Sequence, residues 1–67
     1  VMKDLESYIE EAIKNIRIFD ATGRLVDQMN GNNANSITID MIEYAEGVYN
    51  FEIQIGEIIH RERIIRN

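Results

Sequence analysis

Cysteine and proline are both missing from this chain of 67 residues. Without cysteine there is no disulfide framework and no thiolate metal site. That absence leaves the compartment open. Without proline, nothing interrupts the chain until its first glycine, Gly23. No apolar run approaches the ~18 residues that a membrane span needs. Basic residues are outnumbered by acidic ones, 7 to 12, for a net charge of -5. A nucleic-acid binder gains affinity by releasing counterions from a basic surface, so this balance excludes nucleic acid as a general partner. Histidine occurs once, as His60 between Ile59 and Arg61, and reads as structural.

No other chemistry takes the place of the missing groups. Glu10 with Glu11 and Asp40 with Glu43 are carboxylate pairs at surface-type positions. Neither has a base, nucleophile or third ligand beside it in the sequence, so acid–base catalysis and metal binding are unsupported. Ser7 and Ser36 lack a nucleophile-elbow glycine pattern, and no phosphate-binding glycine loop occurs. The expectation is a non-enzyme with no cofactor.

What the chain does contain is 45% hydrophobic residues, ample for one small core. A domain this short buries only about 60% of its unfolded surface. Met2, Leu5, Ile9, Ile13 and Ile16 recur at three- and four-residue spacing, which locally describes an amphipathic helix over residues 2–14. The competing reading is a strand, and residues 1–13 stay open between the two. From Ile16 the period changes to two. IRIFD, the turn DATG and RLVDQM read as a β-hairpin, with Ile16 and Ile18 on one face and Arg17 and Phe19 on the other. NGNNANS, residues 30–36, reads as a polar loop. SITIDM turns Ile37, Ile39 and Met41 inward, and IEYAEG is a bend. GVYNFEIQI sends Tyr49, Phe51, Ile53 and Ile55 to one face. Tyr49 is expected in the core with its hydroxyl bonded near a strand corner. Gly56-Glu57 fits a two-residue hairpin turn. In the last strand, IIHRERII, paired isoleucines at both ends predict apolar contact on both faces. Short strands with polar turns indicate a mainly β antiparallel sandwich or partial barrel of five or more strands. Ile18, Val26, Ile39, Tyr49, Phe51 and Ile53 are its expected core.

The ending RERIIRN is out of keeping with the acidic rest, because it holds three of the seven basic residues. Three stretches, in order, resemble a known family: IRIFDATGRLV, then SITIDMIEYAEGVYNFEI, then GEIIHRERIIRN. Together they are similar to the C-terminal sorting domain of cargo proteins of the type IX (Por) secretion system, over about residues 14–67. The resemblance implies a small immunoglobulin-like β-sandwich that directs a folded cargo protein across the outer membrane. The implied route is through the periplasm to the cell surface of a Gram-negative bacterium. The implied partners are the secretion-system translocon, a sortase and the parent cargo protein. It implies partner recognition by Gly47, Tyr49, Arg61, Arg63, Ile64, Ile65 and Arg66, and a structural turn at Asp20, Gly23 and Arg24.

The family's proline-containing leading motif has no counterpart here. Residues 1–67 are therefore expected to form a single sorting-type domain, cut from a longer protein and lacking the leading strands. The sheet edge this would expose predicts a homodimer by strand exchange. The alternative function is a generic immunoglobulin-like spacer or ligand-binding module of a secreted adhesin or glycan-degrading enzyme.

Overall fold

The computed structural model describes the backbone of residues 2–6 and all of residues 12–67. Six strands follow in order: β1 (Met2–Glu6), β2 (Ile13–Asp20), β3 (Leu25–Ala34), β4 (Ser36–Asp40), β5 (Gly47–Ile55) and β6 (Ile58–Arg66). The mainly β expectation holds. All pairings are antiparallel, in a four-stranded sheet of order β3-β2-β5-β6 and a two-stranded ladder of β1 with β4.

The helical reading of residues 2–14 is corrected. Met2–Glu6 is strand, paired with β4 from Met2↔Asp40 to Glu6↔Ser36, and Ile13 and Lys14 open β2. Residues 7–11, with the carboxylates of Glu10 and Glu11, lie outside the described residues. Part of the helix-like spacing has a β origin. Ile13 pairs with Ile55, but Asn15 pairs with Gln54, so Lys14 is an extra residue in β2. A bulge of this kind shifts the side-chain phase by one. Ile13 and Ile16, three apart, therefore both reach the core and are fully buried.

The loop expected over residues 30–36 is also corrected. β3 continues to Ala34, and Asn35 alone separates it from β4. Ile13 pairs with Ala34 and Asn15 with Asn30, so three residues of β3 face the single Lys14. Asn32 and Asn33 absorb this irregularity at φ 52° and 56°, the left-handed region asparagine tolerates better than most residues. Gly31 is required by contact. A Cβ there would run into the backbone carbonyl of Ile13.

The core lies on the inner face of the central pair, β2 and β5. Ile13, Ile16, Ile18, Tyr49, Phe51, Ile53 and Ile55 are buried there, with Ile39 and Met41 laid against them from β4 and its end. Val26, expected inside, is 38% exposed. It belongs to an edge strand and follows a register shift between Ile18 and Phe19. The isoleucines of β6 are likewise mostly outside, since Ile58, Ile59 and Ile65 are 53%, 42% and 59% exposed. Only Ile64 packs against the core.

Candidate functional site

Residues from three separate stretches meet at one end of the four-stranded sheet. On β5 and β6 the register pairs Gly47 with Arg66, Val48 with Ile65, Tyr49 with Ile64 and Asn50 with Arg63. The Gly47-x-Tyr49 segment thus lies directly across from Ile64, Ile65 and Arg66, with Arg63 opposite the following Asn50. On the other side of β5, Tyr49 pairs with Asp20, the first residue of the DATG turn.

Local chemistry sets each part. Asp20 organises its turn. Its Oδ1 accepts from the Thr22 amide at 3.0 Å, the Thr22 hydroxyl at 2.6 Å and the Arg24 amide at 3.0 Å, while Oδ2 accepts from Arg24 Nε at 3.1 Å. The Asp20 amide donates to the Arg24 carbonyl, and Gly23, at φ 87°, donates to the Asp20 carbonyl. This is the three-residue hairpin connection with glycine in the left-handed position. The Thr22 hydroxyl first, then the Arg24 amide, hold the Asp20 carboxyl below its usual 3.8. Gly47 sits at φ 152°, where an L side chain is strained although nothing crowds the Cβ position.

Tyr49 is buried and its hydroxyl donates to the Ala45 carbonyl at 2.6 Å, closing the corner that leads into β5. The Tyr44 ring leans on it, with centroids 5.3 Å apart and planes tilted by 44°. The Tyr44 hydroxyl donates to Asp27 Oδ2 at 3.2 Å. Partial burial, then the nearby Asp27 charge, push the Tyr44 hydroxyl up to about 12.

The arginines of the ending separate into different situations. Arg66 reaches back over the corner. Its Nε donates to the Met41 carbonyl at 2.9 Å and its Nη2 to the Ile42 carbonyl at 3.2 Å. It ties the end of β6 to the connection between β4 and β5. Arg61 points to the outer face, where Glu52 accepts from it at 3.3 Å and from Arg17 of β2 at 2.9 Å. The Arg17 guanidinium also stands 5.8 Å from the Phe19 ring centre. Arg63, exposed and opposite Asn50, has no ion pair among the described residues. Ile65 is exposed and Ile64 is half buried.

The expected site residues therefore fall into two sets. Asp20, Gly23, Arg24, Gly47, Tyr49, Ile64 and Arg66 build the corner. Arg61, Arg63 and Ile65 are displayed. Two contributors were not visible in the sequence. Glu52 is the carboxylate shared by Arg17 and Arg61, legible only once the register of three strands is known. The carbonyls of Met41 and Ile42 carry no side-chain signature at all. Among the described residues, no acidic or histidine cluster could hold a metal, and no buried side-chain polar atom lacks a hydrogen bond.

The sequence of this arrangement matches one family model, the secretion system C-terminal sorting domain, over residues 3–67. The chain belongs to that family. No curated protein matches it significantly, and neither does any solved structure. The sorting domain is part of a cargo protein handled by the type IX secretion system, and it marks that cargo for delivery to the cell surface or beyond. The family is not known as enzymatic.

Proposed function

We propose that this sorting domain directs a folded cargo protein through the periplasm and across the outer membrane of a Gram-negative bacterium, where a translocon and a sortase act on it. The reading gives the β5–β6 corner as the part they recognise. One observation carries it. The Gly47-x-Tyr49 segment pairs residue for residue with Ile64–Arg66, and Arg63 faces the next residue, Asn50, so the family's two motifs form one paired unit. Arg66 ties the end of β6 to the corner through the Met41 and Ile42 carbonyls, and β6 displays Arg61, Arg63 and Ile65 to solvent. A rigid module with an exposed edge and unpaired charge suits recognition by strand addition and charge pairing.

The test fuses the chain to a reporter and measures how much reaches the cell surface. Changing Arg61 and Arg63 together to glutamate is expected to stop delivery while the domain stays folded. Both side chains are exposed. The Arg63 change alters stability by under ~0.5 kcal/mol. The Arg61 change, which sets glutamate opposite Glu52, costs up to about 1 kcal/mol more, less than the several kcal/mol that hold a domain of this size together. Normal surface delivery by the folded double variant would overturn the reading.

A further inference from the structure

We propose that the outer rim of β6, which no described strand pairs, takes up an extended acidic segment of a partner protein, which adds as a fifth strand to the sheet. Its alternate carboxylates would meet Arg61 and Arg63, and apolar side chains on either side of them would cover Ile59 and Ile65. The inference rests on the sorting reading and gives the chemistry of what binds there.

β6 is a ready template. It ends the order β3-β2-β5-β6, and all nine of its residues pair with β5 without a register shift. It contains no glycine or proline. Natural edge strands are kept short, bulged, covered or charged, because a long regular edge invites another strand. The protection that β6 shows is charge, at Arg61, Glu62 and Arg63, and the outer-face arginines repel a basic strand while admitting an acidic one. The opposite edge, β3, is protected by irregularity: its register shifts twice against β2, and Asn32 and Asn33 stand at positive φ.

Charge selects the incoming strand. The outer face of the sheet carries Arg17, Arg61 and Arg63 around one carboxylate, Glu52. This surplus of positive charge belongs to a chain whose net charge is -5. An open groove of about 410 Å3 runs beside it, lined by Phe19, Gly23, Asn50, Glu52, Arg61, Glu62 and Arg63. Along β6 the outer-face residues are Ile59, Arg61, Arg63 and Ile65 in alternate positions. A complementary strand reads apolar, acidic, acidic, apolar at alternate positions.

A second copy of this chain does not fit. The antiparallel register that overlaps the whole of β6 is centred on Glu62. It sets Arg61 against the partner copy's Arg63 on both sides of the centre, and Glu62 against itself. Like charges placed directly opposite destabilise a strand pair.

The experiment uses the whole chain with isotope-labelled amides. The probe is a synthetic heptapeptide of alternating sequence, valine-threonine-glutamate-threonine-glutamate-threonine-valine. Its control carries glutamine for both glutamates. Amide shifts and hydrogen exchange are followed along β6, with β3 as the internal reference. The glutamate peptide is expected to protect β6 and to bind about tenfold more tightly than the control, a margin that Arg63→Glu removes. Equal affinity for the two peptides, protection on β3, or no binding up to about 1 mM would overturn the proposal. So would β6 protection that rises with protein concentration alone, since that places a second copy on the rim. The reporter assay separates this result from the sorting reading. Loss of export in R63E, where the unsubstituted domain does not bind the acidic strand, removes strand addition and leaves the sorting function. Acidic-strand binding with normal export in the charge-reversed variant does the reverse.

Discussion

Arg63 and Arg66 are three positions apart in one strand, yet their guanidinium groups do unrelated things. Arg66 donates to two backbone carbonyls, those of Met41 and Ile42, while Arg63 has no ion pair among the described residues. Hydrogen bonds involving a charged donor contribute about 1.5–3 kcal/mol each when well formed. Arg66→Ala is therefore expected to destabilise the domain by about 2 kcal/mol, with faster hydrogen exchange in residues 41–46. Arg63→Ala should leave both unchanged. Denaturant titration of the two variants side by side makes the comparison. Tyr44 gives a second test at this scale. Its hydroxyl is held up to about 12 by partial burial and the Asp27 charge, so the folded state keeps a proton that the unfolded chain releases near 10. The stability linked to that proton is complete below pH 10 and is lost as the pH rises from 10 toward 12. Thermal melts across this range should show the decline, and Tyr44→Phe should flatten it.

At the level of strands and turns, legibility follows from how local the determining contacts are. The DATG hairpin and the Gly56-Glu57 turn were readable because a few adjacent residues fix them. Gly56 alone has a positive φ in the second turn, which makes it the mirror-type turn with glycine first. The buried face of β5 was readable because Tyr49, Phe51, Ile53 and Ile55 alternate without interruption. β1 was ambiguous because its partner, β4, lies thirty or more residues away, and its own pattern favours helix. The two-residue Gly56-Glu57 turn fixes the β5–β6 register and so sets Tyr49 opposite Ile64. What distance hid at the corner was the pairing of Asp20 with Tyr49 and the reach of Arg66 to the Met41 and Ile42 carbonyls. The asparagine-rich end of β3 reads as a loop because its polar side chains are exposed at an edge, while its one buried residue is Gly31. That contact yields a prediction about the element. Gly31→Ala should force β3 away from Ile13 and destabilise the β2–β3 pairing by more than 1 kcal/mol. Early exchange of the β2–β3 amides, with β5–β6 still protected, is the expected signature. Unchanged stability in this variant would mean that the bulge can flatten.

For the molecule as a whole, the arrangement bears on whether the sorting signal is a sequence or a shape. If RERIIRN were read as a linear tag, its residues would suffice in an unfolded chain. The geometry favours a shape, because the displayed side chains of β6 are held by pairing with β5 and by the Arg66 tie to the β4–β5 connection. A variant that leaves the ending untouched and removes the fold separates the two. Phe51 is fully buried at the centre of the core and faces away from the arginine surface. Phe51→Ala is expected to cost about 3–5 kcal/mol. The total stability of a chain this size is about 3–10 kcal/mol, so this one change brings the domain close to unfolding. Fused to a reporter that folds independently, F51A should abolish surface delivery although every residue from 58 to 67 is intact. Ile53→Val, a loss of one methyl group at the same inner face, should cost only about 1 kcal/mol and preserve delivery. Delivery of the F51A fusion at the normal level, with circular dichroism showing its sorting domain unfolded, would mean that the machinery reads the ending as extended peptide. The corner would then serve only to protect that peptide before it is used.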